Sequence, residues 1–580
     1  LASGLLERAG VNVPLRLGGL VLVVVSGVGC GDSGSGSGSD SGTGTSTGTG
    51  LDDGTGARGS DEGSGTGPGT GLDDGTGQSS ETDGDPCAAD VEATETLVLT
   101  RDGPVQGAAT DDGAVAFLQI PYAEPPTGEL RFAAPVAPAC WTEPHDATSL
   151  GPRCVQLQGP GGPVVGEEDC LHVNVWTPAA DDGARPVMVF IHGGGNAIGS
   201  AVDPLYDGAK LAVAGDVVVV TLNYRLGALG WWTHPDLPAV NFGLRDQVEA
   251  LRWVADNAAV FGGDPERVTI FGESAGAVNV CALIGSPLAA ELFDGAIMQS
   301  GGCGQRSATA FATQVSEPFT AASGCADDDD LLACLRALPA DAIATTEPTG
   351  YPSVAELSPG SWGPSLDPDS LPASSLEAMA AGTHNRVPTI IGANAEETAR
   401  EAPPLTRQSY AELVALTFGP LSDDVLAAYP VADYDDATDA WIAVTSDAKF
   451  ICGARRSLVA AAEGGTDLWR YHLTYDGYTT GPASEPAAFH GLELIYVFGN
   501  FDAVELGGLS YQPNPDDLAM AAGLQQAWTS FATDGSPTTE PAWPMWDVAT
   551  APYLGLDVPN TASAGVRTEQ CDFWDGLLGG

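Results

Sequence analysis

Positive charge is scarce: 22 Lys and Arg stand against 77 Asp and Glu, a formal net charge of −55 over 580 residues. Phosphate recognition needs clustered cations, so this balance excludes nucleic acid as a partner. It also disfavours electrostatic docking on anionic lipid. The acidity reads as a solvated surface that keeps the chain soluble. No two of the eleven cysteines are spaced Cys-x-x-Cys, so the common zinc and thioredoxin-like patterns are missing. Eleven cysteines are nevertheless too many for a reducing cytosol, and disulfides in an oxidising compartment are expected. No metal or cofactor is expected. Leu17–Val28 is apolar but shorter than the ~20 residues a membrane-spanning helix needs.

That short run belongs to a segment built like an export signal, residues 1–30, with Arg8 and Arg16 ahead of it. It ends at Gly27-Val28-Gly29-Cys30, which resembles a bacterial lipoprotein signal, although Gly27 stands where Leu is usual. Lipidation of Cys30 is expected, placing the chain outside the cytoplasm as a cell-envelope lipoprotein, with simple cleavage and secretion as the alternative. Residues 31–86 are almost entirely Gly, Ser, Thr and Asp, with GLDDGTG at 50–56 and again at 71–77. Such a segment has too little apolar surface to offset its ordering entropy, so it reads as a disordered linker. Residues 87–580 then form the single folded domain.

After Cys87 the texture changes. VMVFI (Val187–Ile191) and VVVVTL (Val217–Leu222) are continuous β-branched and apolar runs, the pattern of strands buried on both faces. Leu244–Val260 repeats its apolar residues at helical spacing. Val268–Phe271, Ala296–Gln299 and Val387–Ile391 read as further strands. Strands alternating with helices predict an α/β fold: a mostly parallel central sheet with helices on both faces. The Pro- and Gly-rich interval from about 305 to 385 reads as excursions over the sheet.

Gly272-Glu273-Ser274-Ala275-Gly276 follows the strand VTIF and precedes a helical run. This is the Gly-x-Ser-x-Gly turn in the strand-to-helix setting that lifts a serine hydroxyl above a sheet. His192-Gly193-Gly194-Gly195 follows VMVFI directly. Consecutive glycines let backbone N–H groups face a cleft, where they stabilise the oxyanion of acyl transfer. A phosphate loop would carry a Lys-Ser/Thr ending, which is missing here. In this fold the order is Ser, then Asp or Glu, then His. Only His384, His472 and His490 follow Ser274. His472 lies in an apparent strand and His384 has no evident acid partner, whereas His490 lies in a loop after the late strand. The acids at a strand end are Glu396 and Glu397, and an adjacent pair leaves the choice open.

Longer stretches carry a resemblance. They are EDCLHVNVW (168–176), FIHGGG (190–195), Asn223-Tyr224-Arg225, FGESAG (271–276), GANAEE (392–397) and HGLELIYVFG (490–499). From about 95 to 577 the chain resembles the type-B carboxylesterases, the family of cholinesterases, bacterial para-nitrobenzyl esterases and the catalytically silent neuroligins. The resemblance implies the α/β-hydrolase fold and a triad of Ser274, His490 and Glu397, the second acid of the pair. It implies oxyanion donors at the N–H groups of Gly194, Gly195 and Ala275, and supporting positions at Glu273, Ser300 and Glu493. Thr398 departs from the family's usual Gly. The resemblance also implies disulfides Cys154–Cys170, Cys325–Cys334 and Cys452–Cys571. Of the remaining cysteines, Cys87 with Cys140 and Cys281 with Cys303 are candidate pairs.

The expected activity is hydrolysis of small to medium neutral carboxylic esters through an acyl-enzyme. The partner is a small-molecule ester, the membrane is reached only through the N-terminal lipid, and the oligomeric state is undetermined. The rival readings are a silent binding protein and an amidase on the same triad. A choline ester is not the expected substrate, because the loop between Cys154 and Cys170 has no aromatic residue to stack on a quaternary ammonium. Trp231 and Trp232 are the candidates for a replacement face.

Overall fold

The computed structural model describes Cys87 and residues 91–578, apart from 160, 347, 349–352, 354–360, 478–486, 504 and 507–508. The segment expected to be an export signal, Cys30 and the linker expected over 31–86 all lie outside the described residues. Among the described residues, no helix is long and apolar enough to cross a membrane.

The main element is an eleven-stranded sheet. In chain order its strands are β1 (Ala108–Ala109), β2 (Val115–Pro121), β3 (His172–Thr177), β4 (Arg185–Ile191), β5 (Val218–Leu222) and β6 (Gly263–Glu273). They continue as β7 (Gly295–Gln299), β8 (Thr389–Asn394), β9 (Leu468–Leu473), β10 (Pro552–Leu556) and β11 (Thr561–Ala564). Their order across the sheet is 11-10-9-8-7-6-4-5-3-2-1. The run from β5 through β4 to β10 is parallel, and antiparallel pairs flank it at both ends.

The apolar runs become strands because both their faces are covered. Along β4, Val187, Val189 and Ile191 enter one core and Met188 and Phe190 the other, and all five are 0 % exposed. The first core is completed by helices α1 (Phe242–Asn257) and α2 (Ala275–Gly285). The second is completed by α4 (Leu492–Phe498) and α5 (Pro515–Asp534). Helix α3 (Ala437–Ser446) belongs to a third, smaller cluster. The periodic segment expected at Leu244–Val260 is α1, and a 3₁₀ turn, Ala258–Phe261, closes it at Gly262 (φ +80°).

Among the described residues five disulfides are present: Cys87–Cys140, Cys154–Cys170, Cys281–Cys303, Cys325–Cys334 and Cys452–Cys571. Cys281 lies on α2 and Cys303 three residues after Ser300, so this bridge fastens the helix behind Ser274 to the loop after β7. The chain leaves β4 for β5 on one side and returns to β6 on the other. In open α/β sheets the crevice beyond the carboxyl ends of two such strands is the usual binding position. Here those ends carry His192-Gly193-Gly194-Gly195 and Ser274.

Candidate active site

Ser274 stands between the end of β6 and the start of α2 with φ +58° and ψ −122°, a conformation rarely open to a residue with a side chain. Two glycines make that turn sterically open. A Cβ on Gly276 would overlap the carbonyl oxygen of Ile191 at the end of β4, and one on Gly272 would crowd the backbone of Gly276. The Gly-x-Ser-x-Gly pattern is therefore a packing requirement: strand and helix approach too closely for any side chain. The Ser274 N–H donates to Gln299 O at 2.9 Å, which ties the turn to β7.

The glycine loop after β4 comes up against this turn. A Cβ on Gly193 would lie 3.0 Å from Ser274 Cβ and 2.8 Å from Glu273 Oε2. Gly194 and Gly195 have φ of +102° and +62°. Asn279 of α2 donates to Asn196 Oδ1 at 2.8 Å, holding the loop to the serine's own helix. Gln156 braces it from the Cys154–Cys170 segment through a two-way amide pairing with Gly199, at 2.8 and 2.9 Å. Among the described residues the N–H groups of Gly194, Gly195 and Ala275 have no acceptor. Unpaired backbone donors are unusual in a folded interior and mark this loop as one able to receive an oxygen.

His490 lies just before α4, in the loop the sequence suggested. Its Nδ1 is 2.6 Å from Glu397 Oε2, and its backbone N–H donates to Glu397 O at 3.0 Å. Glu397 is 1 % exposed, and its other oxygen accepts the N–H of Asn394 at 2.8 Å. Glu396 turns away and accepts from Ala488 N at 3.1 Å. The adjacent pair that the sequence left open is thus divided by the structure: Glu397 meets the imidazole and Glu396 caps a neighbouring loop. Thr398, the departure from the family pattern, is fully buried and pairs its hydroxyl with that of Thr445 on α3 at 2.6 Å. The acid's loop is anchored there by a side chain. His384 pairs with Thr466 and His472 with the carbonyl of Ala393, both away from Ser274.

The Nε2 edge of His490 faces the serine turn, 3.1 Å from Glu273 Oε1. That contact has the distance of an ion pair without hydrogen-bond alignment, since Glu273 Oε1 has no donor. Among the described residues no hydrogen bond joins Nε2 to Ser274 Oγ, and contacts between such pairs commonly tighten only when a ligand is bound. Glu493 accepts from Asn394 Nδ2 at 2.6 Å and from Gln299 Nε2 at 3.3 Å. Three carboxylates therefore surround one imidazole. Burial pulls the His490 pKa down, but Glu273, the hydrogen bond to Glu397 and the charges of Glu397 and Glu493 outweigh it and push it up to about 9. Burial, with mutual repulsion, lifts Glu273 and Glu493 well above the usual carboxylate range.

Sequence reasoning assigned no role to Asn394, Phe450 or Gln299. Asn394 links Glu397, Glu493 and the Phe489 carbonyl, and Phe450 lays its ring 4.7 Å from that of His490. Asn394 stood inside a matching stretch; Phe450, forty residues from the histidine, carried no signal. Trp231 and Trp232 are not a substrate face. They are 0 % and 1 % exposed, and Trp232 packs against Phe132 and Phe319 and donates to Thr320.

Residues 94–574 match the model of the carboxylesterase family. The chain is 35 % identical over 482 residues to fumonisin B1 esterase of Sphingopyxis macrogoltabida, covering 80 % of this chain and 86 % of that one. It is 35 % identical over 496 residues to para-nitrobenzyl esterase of Bacillus subtilis, covering 82 % and 98 %. A solved thermophilic PNB esterase superposes with a TM-score of 0.71 at 32 % identity, over 83 % of this chain and all of that one. With the fold, the length of the match and these esterases in agreement, the chain belongs to the carboxylesterase family and is a carboxylic ester hydrolase of the α/β-hydrolase fold.

Proposed function

We propose that the chain hydrolyses small to medium neutral carboxylic esters through an acyl-enzyme on Ser274, with His490 as general base and Glu397 as its orienting acid. The observation that carries this reading is the 2.6 Å contact of Glu397 with His490 Nδ1, which turns Nε2 toward the strained serine turn. As Ser274 Oγ bonds to the carbonyl carbon, its proton passes to Nε2 and the carbonyl electrons move onto oxygen. That oxyanion is received by the N–H groups of Gly194, Gly195 and Ala275, at the N-terminus of α2. Collapse of the intermediate gives the proton to the departing alcohol and leaves the acyl group on Ser274. Water, deprotonated by His490, then attacks the acyl carbon and frees the acid. Beside the glycine loop lies a small cavity lined by Val155, Gln156, Leu157, Ile198, Thr346 and Trp362, with no charged side chain among its lining residues, which suits a neutral substituent. The same reading includes an export signal over 1–30, a lipid on Cys30, a tether over 31–86 and the catalytic domain over 87–580.

Para-nitrophenyl esters of graded acyl length test the substrate class, together with butyrylthiocholine against a neutral butyryl thioester. The short and medium neutral esters are expected to be turned over. The choline ester should not exceed its neutral counterpart in kcat/KM by about a hundredfold at high salt, where long-range steering is screened. A larger preference would reveal a cation site and overturn the neutral-ester reading.

The pH dependence follows from the carboxylates. The base is active when neutral, so a raised pKa places the acid limb of kcat/KM above the ordinary histidine range, with activity rising toward about pH 9. Glu273→Gln removes the first of the influences that raise it, so the limb should move to lower pH. A rate profile whose limb stays in place in that variant would show that Glu273 does not act on His490.

A further inference from the structure

Gly193, Gly194 and Gly195 carry no side chains, so whatever aims their N–H groups must lie outside them. Bonds at both ends of the run hold it. Ahead of it, the Tyr224 hydroxyl donates to His192 O at 2.9 Å, and the two rings stack with centroids 4.5 Å apart. Behind it stands Asn196 at φ +57°, a left-handed conformation that asparagine adopts more readily than most side chains. Its carbonyl accepts the Gly227 N–H at 2.8 Å, and its Oδ1 accepts Asn279 Nδ2 at 2.8 Å. Asn196 is 3 % exposed and Asn279 0 %, so this amide pair is shielded from water. A Cβ on Gly363 would lie 3.1 Å from Asn196 Nδ2, which confines the carboxamide on its other side. Among the described residues the pair makes the one side-chain hydrogen bond between α2 and residues 192–199. Asn279 follows Ala275 by about one helical turn, so the two share a face of α2.

We propose that Asn196 and Asn279 are positioning residues for the oxyanion: their amide bond ties the loop that offers the Gly194 and Gly195 N–H groups to the helix that offers the Ala275 N–H. The proposal rests on the reading of those three groups as oxyanion donors. The register of β6 on β4, with Gly272 beside Ile191, fixes where the serine turn and the glycine loop begin. It does not fix how Gly194 and Gly195 turn, because glycine backbone has many accessible conformations. Without the amide bond the loop samples orientations in which its N–H groups miss the oxygen. Such donors act by being aimed before charge develops. A neutral ester carbonyl gains less from that aim than the oxyanion does, so loss of the pair falls on kcat rather than on KM.

The test is Asn279→Ala in the full chain, read with a short para-nitrophenyl ester and with a trifluoromethyl ketone of matching acyl chain. The ketone carbon bonds to Ser274 Oγ, the serine proton passes to His490 Nε2, and the carbonyl electrons move onto oxygen, giving a stable oxyanion. In the variant kcat should fall about ten- to thirtyfold with KM within about twofold, and the Ki of the ketone should rise by about the same factor as kcat/KM falls. Asn196→Gly keeps the left-handed backbone and leaves α2 filled; it should show the same split, and it decides alone if Asn279→Ala does not fold. The double variant should lose little more than the larger single, because either change removes the same bond. A lower Tm with kcat and Ki unchanged would reduce the pair to packing and overturn the proposal. So would losses that multiply in the double variant, since the two residues would then act separately. Those results leave the Ser274–His490–Glu397 reading standing, because removal of Ser274 tests it separately. A ketone that fails to inhibit the parent would overturn the oxyanion reading itself, and the proposal with it.

Discussion

Ser274→Ala should lower kcat/KM on short aryl esters by roughly ten-thousandfold or more while the folded protein survives. The size of the effect follows from the removal of the atom proposed to form the acyl bond; the N–H groups of the glycine loop and the neighbouring cavity remain and support whatever rate is left. Survival of the fold follows from the geometry. The hydroxyl makes no hydrogen bond among the described residues, so its removal leaves no buried partner unsatisfied. Alanine keeps the Cβ that the turn already accommodates at φ +58°, and the glycines that make the turn fit are untouched. The measurement is steady-state turnover with a Tm determined alongside. A fluorophosphonate probe should label the parent once per chain, on the peptide holding Ser274, and leave the variant unlabelled. Turnover close to that of the parent, with contamination excluded, would remove the serine from the mechanism.

Glu397→Gln should cost about a thousandfold or more in kcat, and Glu396→Gln less than about tenfold. Both substitutions preserve volume and exchange one carboxylate oxygen for an amide nitrogen. At 397 the two oxygens each receive a donor, Asn394 N–H on one side and His490 Nδ1 on the other. An amide cannot accept at both positions. With its oxygen on Asn394, its NH₂ faces Nδ1 and favours the tautomer with the proton on Nε2, which cannot take a proton from Ser274. With its NH₂ on Asn394, two donors oppose each other inside the protein, at a cost of about 1–3 kcal/mol. At 396 the carboxylate meets a single backbone N–H at a half-buried position, and an amide oxygen can replace it there. The comparison is made on one ester at the pH of the parent's plateau. A larger loss at 396 than at 397 would transfer the acid's role to Glu396.

The second of these experiments addresses the point at which the residues alone left a choice. Gly272-Glu273-Ser274-Ala275-Gly276 and His192-Gly193-Gly194-Gly195 were legible because they are local: steric demands at a strand end admit only small residues, and that demand is written into neighbouring positions. The strands β4 and β5 were legible for a similar reason, since a segment covered on both faces must be apolar at every position. Glu397 and His490 were found by order along the chain and by family pattern, not by any local property of theirs. Nothing around residue 450 says that its ring will lie against an imidazole forty residues later, and nothing in Trp231-Trp232 says that both indoles will be buried in the core.

The chain's local patterns by themselves determined the fold class, the Gly-x-Ser-x-Gly turn, the glycine loop after β4, the shortage of cations and a cysteine content suited to disulfides. Each of these depends on short-range sterics, on hydrophobic periodicity or on composition. Tertiary structure alone decided that three carboxylates share one imidazole, that Thr398 is anchored on Thr445, and that Phe450 lies against His490, and it showed Glu397, the acid the family pattern pointed to, meeting the histidine. It also joined Cys281 to Cys303 behind Ser274. The reason is physical. Charge–charge influence and desolvation depend on distance through the folded interior, and β6, β7, β8 and β9 bring together carboxyl ends that lie up to some two hundred residues apart in the chain.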